Sequence, residues 1–279
     1  MDQHHVVGRA DLATGVSLPY VSTGPPSATP VLLLHAWGES RGSFDRLLPL
    51  LPPIMTAFAM DLRGHGDAGK PTAGYSLHGL ADDIEAFMDV VGASSAVLLG
   101  SSSGGYVAQQ VAVNIPDRVA GLVLVGSPRS LQGRPSFADE VDRLTDPVDA
   151  AWVRDSLTWF PRFHPVPQWY IDDRVQDGVR MPARVWREAL NGLLTARPPT
   201  DTATITAPTL IVWGARDELL PREDQVALAA AIPDSRLVVY EDTGHVVLWE
   251  QPERVASDLT AFVANLSLST TRVTPQYRD

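Results

Sequence analysis

The sequence predicts an α/β fold: a mostly parallel central sheet with helices on both faces, plus an inserted helical cap. Three observations carry this reading. Short continuous apolar runs, such as Val31-Leu32-Leu33-Leu34 and Leu122-Val123-Leu124-Val125, recur along the chain and read as strands buried on both faces. Helical patterns alternate with them, which is the rhythm of parallel strands joined by crossover helices. Between residues 129 and 200 that rhythm stops, and a segment rich in aromatic residues and proline takes its place.

Residues 5–22 read as two short strands around Thr14-Gly15. Gly24-Pro25-Pro26-Ser27 is a loop, and Val31–Leu34 is an interior strand ending in His35-Ala36-Trp37-Gly38. Phe44, Leu47, Leu48 and Leu51 recur at helical spacing and predict a short helix closed by Pro52-Pro53. Ala57–Met60 is a further strand. Leu77, Leu80, Ile84, Phe87, Met88 and Val91 then share one face of a helix, with Ser76 as N-cap and Gly92 as stop. Val97-Leu98-Leu99 and the run ending at Val125 are strands with a helix between them. In the segment 129–200, proline interrupts the pattern repeatedly, and four of the chain's seven tryptophans lie here: Trp152, Trp159, Trp169 and Trp186. Short helices fit it better than more sheet. The sheet resumes at Thr209–Trp213, a helix spans about 225–232, Arg236–Tyr240 is the last strand, and Val255, Leu259, Phe262, Val263 and Leu266 mark a final amphipathic helix. The predicted core domain takes residues 1–128 and 201–267, the cap takes 129–200, and 268–279 form a polar, disordered tail.

Composition narrows the partners. A chain of 279 residues has room for one large domain with an insertion. Its net charge of −11 repels phosphates, which argues against nucleic acid or an anionic membrane surface. There is no cysteine, so no disulfide and no thiolate zinc site, and a cytoplasmic location is the expectation. The start of the chain has no basic and apolar leader, and no apolar run approaches the ~18 residues of a membrane span. His4-His5 reads as a solvated pair and not as a metal site. No metal or cofactor is expected, and the partner is a small-molecule substrate. Monomer and homo-oligomer both stay open. Lys70 is the single lysine, a usage typical of GC-rich bacterial coding.

The chemistry gathers at strand ends. Gly100-Ser101-Ser102-Ser103-Gly104 stands between a strand and a helix, and only Ser102 has glycine at both i−2 and i+2. A serine lifted on so sharp a turn needs small flanks, and the following helix points its N-terminus at developing negative charge. A serine-rich loop capping a helix is the plainer alternative. Asp217 follows the strand ending at Trp213, and His245 follows the last strand. All three therefore lie at one edge of the sheet. A serine hydroxyl needs a base to take its proton, an imidazole can take and return it, and a carboxylate can fix that imidazole's tautomer. The backbone N–H of Ser103, next to the serine, is one donor for a tetrahedral oxyanion.

Five pieces together resemble the α/β-hydrolase fold family with a cap, over about residues 5–266: LLLHAWG at 32–38, MDLRGHG at 60–66, GSSSGG at 100–105, WGARDELLP at 213–221 and DTGHVVLWEQPERV at 242–255. The resemblance implies Ser102 as nucleophile, His245 as base and Asp217 as acid, the last by the spacing G-x-x-D-x-x-x-P from Gly214 to Pro221. Glu218 and Asp242 are the competing carboxylates. It also implies the Trp37 backbone N–H as second oxyanion donor. Ala36 stands where relatives carry glycine, which narrows the backbone at that turn. Ala68 replaces a common serine, and the motif from Asp61 to Gly66 reads as structural. A serine in place of aspartate argues against the epoxide hydrolase and haloalkane dehalogenase branches. Val246, where carbon–carbon bond hydrolases often have tryptophan, argues against that branch too.

The expected activity is cofactor-free cleavage of a carboxylic ester or lactone of a mainly apolar or aromatic substrate. His35, Trp152, Trp159, Trp186 and Val246 are the candidates to line the substrate. The alternatives are a receptor-like binding protein on the same scaffold, or a triad enzyme performing acyl transfer, perhydrolysis or C–C hydrolysis.

Overall fold

The computed structural model describes residues 6–270. Strands β1 (Val6–Asp11), β2 (Ser17–Thr23), β3 (Thr29–Leu34), β4 (Met55–Met60), β5 (Ala96–Ser101), β6 (Val119–Val125), β7 (Thr209–Gly214) and β8 (Ser235–Tyr240) form one eight-stranded sheet in the order β1-β2-β4-β3-β5-β6-β7-β8. β2 pairs antiparallel with β1 and β4, and every other pairing is parallel. The helices are α1 (Leu77–Val90), α2 (Ser103–Asn114), α3 (Ala138–Asp142), α4 (Ala150–Ser156), α5 (Gln168–Arg180), α6 (Ala183–Leu194), α7 (Arg222–Ala231), α8 (Val247–Glu250) and α9 (Pro252–Thr270). None among the described residues is long and apolar enough to cross a membrane.

The period of two along each strand builds two cores. Leu32, Leu34, Leu98, Leu122, Leu124 and Ile211 face α1, α2 and α7, where Ile84, Phe87, Val111 and Leu228 meet them. The alternate residues Val31, Leu33, Val97, Leu99, Val123 and Val212 face the other way, onto Trp249, Val255, Leu259 and Val263 of α8 and α9. Buried on both sides, these strands must be apolar throughout, which is why they read as unbroken runs. Ser76 caps α1 by accepting the Gly79 N–H, and Gly92, with φ +71°, ends it.

Two local expectations are corrected. Phe44, Leu47, Leu48 and Leu51 are all buried, but the chain here forms two 3₁₀ turns, Arg41–Phe44 and Leu48–Leu50, with Leu47 and Leu51 flanking the second. Pro49 sits inside the second turn, and a proline inside an α-helix removes a hydrogen bond and clashes with the preceding turn. Helix α9 runs on through Thr270, so residues 268–270 are helical where the sequence suggested tail. Residues 271–279, like His4 and His5, lie outside the described part.

Helices α3–α6 lie between β6 and β7 and hold a third cluster of their own, with Val141, Val153, Val175, Val185 and Trp186 inside it. This segment meets the sheet domain closely. A Cβ added to Gly192 of α6 would lie 1.9 Å from the Tyr75 carbonyl oxygen, so only glycine permits the approach. The chain departs to β4 from one side of β3 and returns at β5 on its other side. That reversal opens a crevice beyond the C-terminal ends of β3 and β5, where open α/β sheets bind ligands.

Candidate active site

Ser102 stands at the mouth of this crevice, between the end of β5 and the start of α2. Its φ of 49° and ψ of −121° make it the one non-glycine residue with positive φ among the described residues. Such a conformation costs about 1–3 kcal/mol and persists only when its surroundings enforce it. Here the Ser102 N–H donates to the Val125 carbonyl at 2.8 Å, and the Gly105 N–H returns to the Ser102 carbonyl at 2.9 Å. The flanking glycines are steric necessities. A Cβ on Gly100 would lie 2.4 Å from the Gly104 carbonyl oxygen, and one on Gly104 would lie 2.2 Å from the Leu34 carbonyl oxygen.

The turn after β8 brings His245 to Ser102. Ser102 Oγ lies 3.0 Å from His245 Nε2, and His245 Nδ1 lies 2.8 Å from Asp217 Oδ2. An ionised carboxylate only accepts, so the proton is assigned to Nδ1 and the Nε2 lone pair faces the serine hydroxyl. Asp217 is itself held: its Oδ1 accepts the N–H groups of Leu219 and Leu220, both at 2.9 Å. Both side chains are almost wholly out of solvent. Glu218 and Asp242 stand outside this hydrogen-bonded series; Asp242 pairs at the surface with Arg254. A hydrogen-bonded series of this kind can move a hydroxyl proton to the imidazole while the carboxylate offsets the charge that forms.

Glu250 is a supporting residue that the sequence reading passed over, although it lies inside the motif at 242–255. Its buried carboxylate accepts from the Gly244 N–H at 3.1 Å, and from the N–H groups of Phe163 and His164. It therefore pins the residue before His245 to the segment entering α5. The 3.6-residue period places such a glutamate on the helix but does not show which loops it reaches.

Opposite Ser102 lies the turn that follows β3. Ala36 takes no positive φ; that demand falls on Gly38, at +81°. The alanine therefore fits without strain. The Trp37 N–H points across to α2 but ends on the Ser103 hydroxyl oxygen, at 2.7 Å. The Ser103 N–H is the first amide of α2, one of the donors that a helix leaves without an internal acceptor.

These groups open onto a cavity of about 400 Å³, within the range of small-molecule sites. Trp159, Trp186 and Val246 line it, with Leu131, Phe137, Phe160, Leu190 and Leu219. Glu39 also reaches the wall; burial pushes its carboxyl up, and it accepts from the Ser43 hydroxyl. The aromatic wall is continuous. Trp37 meets Trp186 edge-on at 4.7 Å, Phe137 stacks on Trp159 at 4.9 Å, and Phe160 lies 5.2 Å from the His245 ring. Two expected lining residues are elsewhere. Trp152 packs behind the wall, edge-on to Trp159 and Trp186. His35 is fully buried: its Nδ1 bonds the Ala36 carbonyl and its Nε2 accepts the Leu62 N–H at 2.9 Å. It ties the end of β3 to the end of β4. Among the described residues no group of three or more His, Asp or Glu side chains is placed to hold a metal ion.

The motif from Asp61 to Gly66 forms the floor beneath this turn. Asp61 accepts the N–H groups of Arg41 and Asp67, both at 2.8 Å, and Arg63 forks onto Asp83 at 2.7 and 2.6 Å. His65 donates from Nδ1 to the Arg63 carbonyl, and burial pushes its pKa down to about 4 from 6.5. The folded state thus needs this ring neutral. As pH falls from 6.5 through about 4, the unfolded chain binds the proton first, and stability on the order of 3 kcal/mol is withdrawn. Burial raises the carboxyls of Glu39, Asp61 and Asp177, which act in the opposite sense. Comparison with a His65→Asn variant isolates the ring. Its urea-unfolding stability is expected to fall less steeply than that of the wild type between pH 6.5 and 4.

The chain matches the alpha/beta hydrolase fold family over residues 29–252. It is 26% identical over 269 residues to Lipase 3 of Moraxella sp. (strain TA144), covering 90% of this chain and 82% of that protein. It is 30% identical over 252 residues to the pimeloyl-[acyl-carrier protein] methyl ester esterase of Neisseria meningitidis serogroup B, covering 86% of this chain and 94% of the relative. Among solved structures, a thermophilic esterase from Thermogutta terrifontis superposes with a TM-score of 0.76 at 26% identity, over 94% of this chain and 99% of that one. The sheet order and the matched residues lead to one conclusion: this chain belongs to the alpha/beta hydrolase fold family.

Proposed function

We propose that this hydrolase-family protein cleaves carboxylic esters or lactones through an acyl-enzyme on Ser102, with His245 as base and Asp217 as the acid that orients it. The supporting observation is the series Ser102 Oγ, His245 Nε2, His245 Nδ1 and Asp217 Oδ2, at 3.0 and 2.8 Å, opening onto the apolar cavity. In acylation, Ser102 Oγ bonds to the carbonyl carbon and its proton passes to His245 Nε2. The C–O π pair moves to oxygen. When the tetrahedral centre collapses, the bond to the alcohol oxygen breaks and the alcohol leaves with the proton from Nε2. Water then repeats the sequence and releases the acid. No cofactor enters these steps.

In this reading residues 129–200 act as a cap. Leu131, Phe137, Trp159 and Trp186 form the cavity wall opposite the core, so the cap sets which acyl or alcohol group enters. The wall's apolar and aromatic character favours such groups in the substrate. The names of the lipase and methyl ester esterase relatives agree with an ester. The substrate is thus a small molecule, not a nucleic acid or a membrane surface. A graded panel of p-nitrophenyl esters and aryl lactones tests the proposal. The expected result is turnover with a stoichiometric burst of p-nitrophenol and an acyl adduct on the peptide that holds Ser102. Tight binding of panel members with neither burst nor adduct would overturn it in favour of a receptor.

A further inference from the structure

The Ser103 side chain has no place in the mechanism above, yet its hydroxyl occupies the space where the second oxyanion donor should act. Trp37 N–H donates to Ser103 Oγ at 2.7 Å, a well-formed bond. The hydroxyl has one hydrogen, and among the described residues no acceptor takes it. Ser103 lies on the wall of the main cavity beside Ser102, and its other side borders a small void of about 20 Å³ behind the turn. That void is lined by His35, Leu62, His65 and Val107. His65 keeps its Nδ1–H on the Arg63 carbonyl, and its buried Nε2 borders the void without a hydrogen-bond partner among the described residues.

The geometry points to the Ser103 hydroxyl as a catalytic oxyanion donor, relaying the Trp37 amide to the substrate carbonyl oxygen. This rests on Ser102 being the nucleophile. Trp37 N–H polarises Ser103 Oγ, and the polarised O–H then donates to the oxygen as it gains charge. The Ser103 N–H donates to the same oxygen. Both direct donors thus come from one residue, and Trp37 acts one bond removed. No covalent bond to Ser103 forms and its proton stays on Oγ; the proton from Ser102 still goes to His245 and leaves with the alcohol. The interaction strengthens only as the carbonyl becomes an oxyanion, so its effect falls on kcat and not on KM.

The rival arrangement has Ser103 swing aside, so that Trp37 donates directly. The two differ in sign. Under the relay, Ser103→Ala lowers kcat roughly 10²-fold, within the range for loss of one oxyanion donor, with KM changed less than about threefold. Ser103→Thr and Ser103→Val have the same shape but differ in the hydroxyl. The relay requires Thr to retain most of the activity and Val to fall with Ala, whatever the added methyl does to both. Affinity for an aryl boronic acid, which forms a tetrahedral adduct on serine, falls with kcat. Wild-type or higher kcat in the Ala variant, or equal rates for Thr and Val, overturns the relay. Ser102→Ala, run in parallel, separates the failures. If it still turns over ester, the nucleophile assignment fails. If it is dead while Ser103→Ala is fully active, only the relay fails.

Discussion

Turnover of the best ester is expected to fall roughly 10⁶-fold in Ser102→Ala, and by a similar factor in His245→Ala. Under the proposed mechanism the two residues act as a unit. Without the imidazole the hydroxyl has no base at 3.0 Å, and without the hydroxyl the imidazole has nothing to activate. The double variant should therefore be no slower than either single one. Asp217→Asn should cost about 10⁴-fold, because an amide can donate to Nδ1 and so favour the wrong tautomer. The residual rate in each case reflects binding and the oxyanion donors. Initial rates over the buffer background, with unfolding curves to confirm the fold, are the measurement. A Ser102→Ala protein within tenfold of wild type would mean that the hydroxyl does not attack.

A large effect on stability is expected at Gly104. An added Cβ would lie 2.2 Å from the Leu34 carbonyl oxygen and 2.5 Å from that of His35, and neither is a side chain that can move away. Helix α2 would have to lift from the end of β3, opening the core where Val107 and Val111 pack. Gly104→Ala is expected to cost more than about 4 kcal/mol. At about 2–4 °C per kcal/mol for a chain near this size, the melting temperature falls by ~8–16 °C. Gly15→Ala supplies the contrast. Gly15 has φ +80° but nothing within 4 Å of an added Cβ, so its cost is that of the backbone conformation alone, about 1–2 kcal/mol. Thermal melts of the two variants separate crowding from backbone strain. A Gly104→Ala protein as stable as Gly15→Ala would mean that α2 is not held against β3 as described.

What the sequence reveals, and what it hides, follows from the reach of each signal. Doubly buried strands must be apolar at every position, so Val31–Leu34 and Thr209–Trp213 are recognisable as they stand. Strand ends in a parallel sheet share one edge, so Ser102, Asp217 and His245 can be placed on it, and the structure hydrogen-bonds the three together. The period of Phe44, Leu47, Leu48 and Leu51 locates a buried face but not its winding, which Pro49 alters. The cavity wall is harder. Trp152 and Trp159 are separated by two helical turns of sequence, yet one backs the wall and the other forms it. Which side a ring shows depends on how α3–α6 cross, and no local pattern encodes that. His35 has a strand-end position like that of His245, but its two nitrogens are spent on backbone groups. The Ser103 contact with Trp37 joins residues that neither period nor motif spacing connects.

The order of the strands bears on how this protein ages under stress. β8 is the last strand of the sheet, bonded on one side only, and several of its residues are part-exposed where β7 is buried throughout. His245 hangs from that margin. Margins open locally at lower free energy than the whole structure. The pairing of His245 with Ser102 therefore lasts only as long as the margin stays shut, whatever the lifetime of the interior. The Tyr240 hydroxyl on Asp258 at 2.7 Å, and Arg254 over the Tyr240 ring at 3.7 Å, latch β8 to α9. These contacts gather on a buried tyrosine outside the cavity wall, and they brace the strand from which the His245 loop leaves.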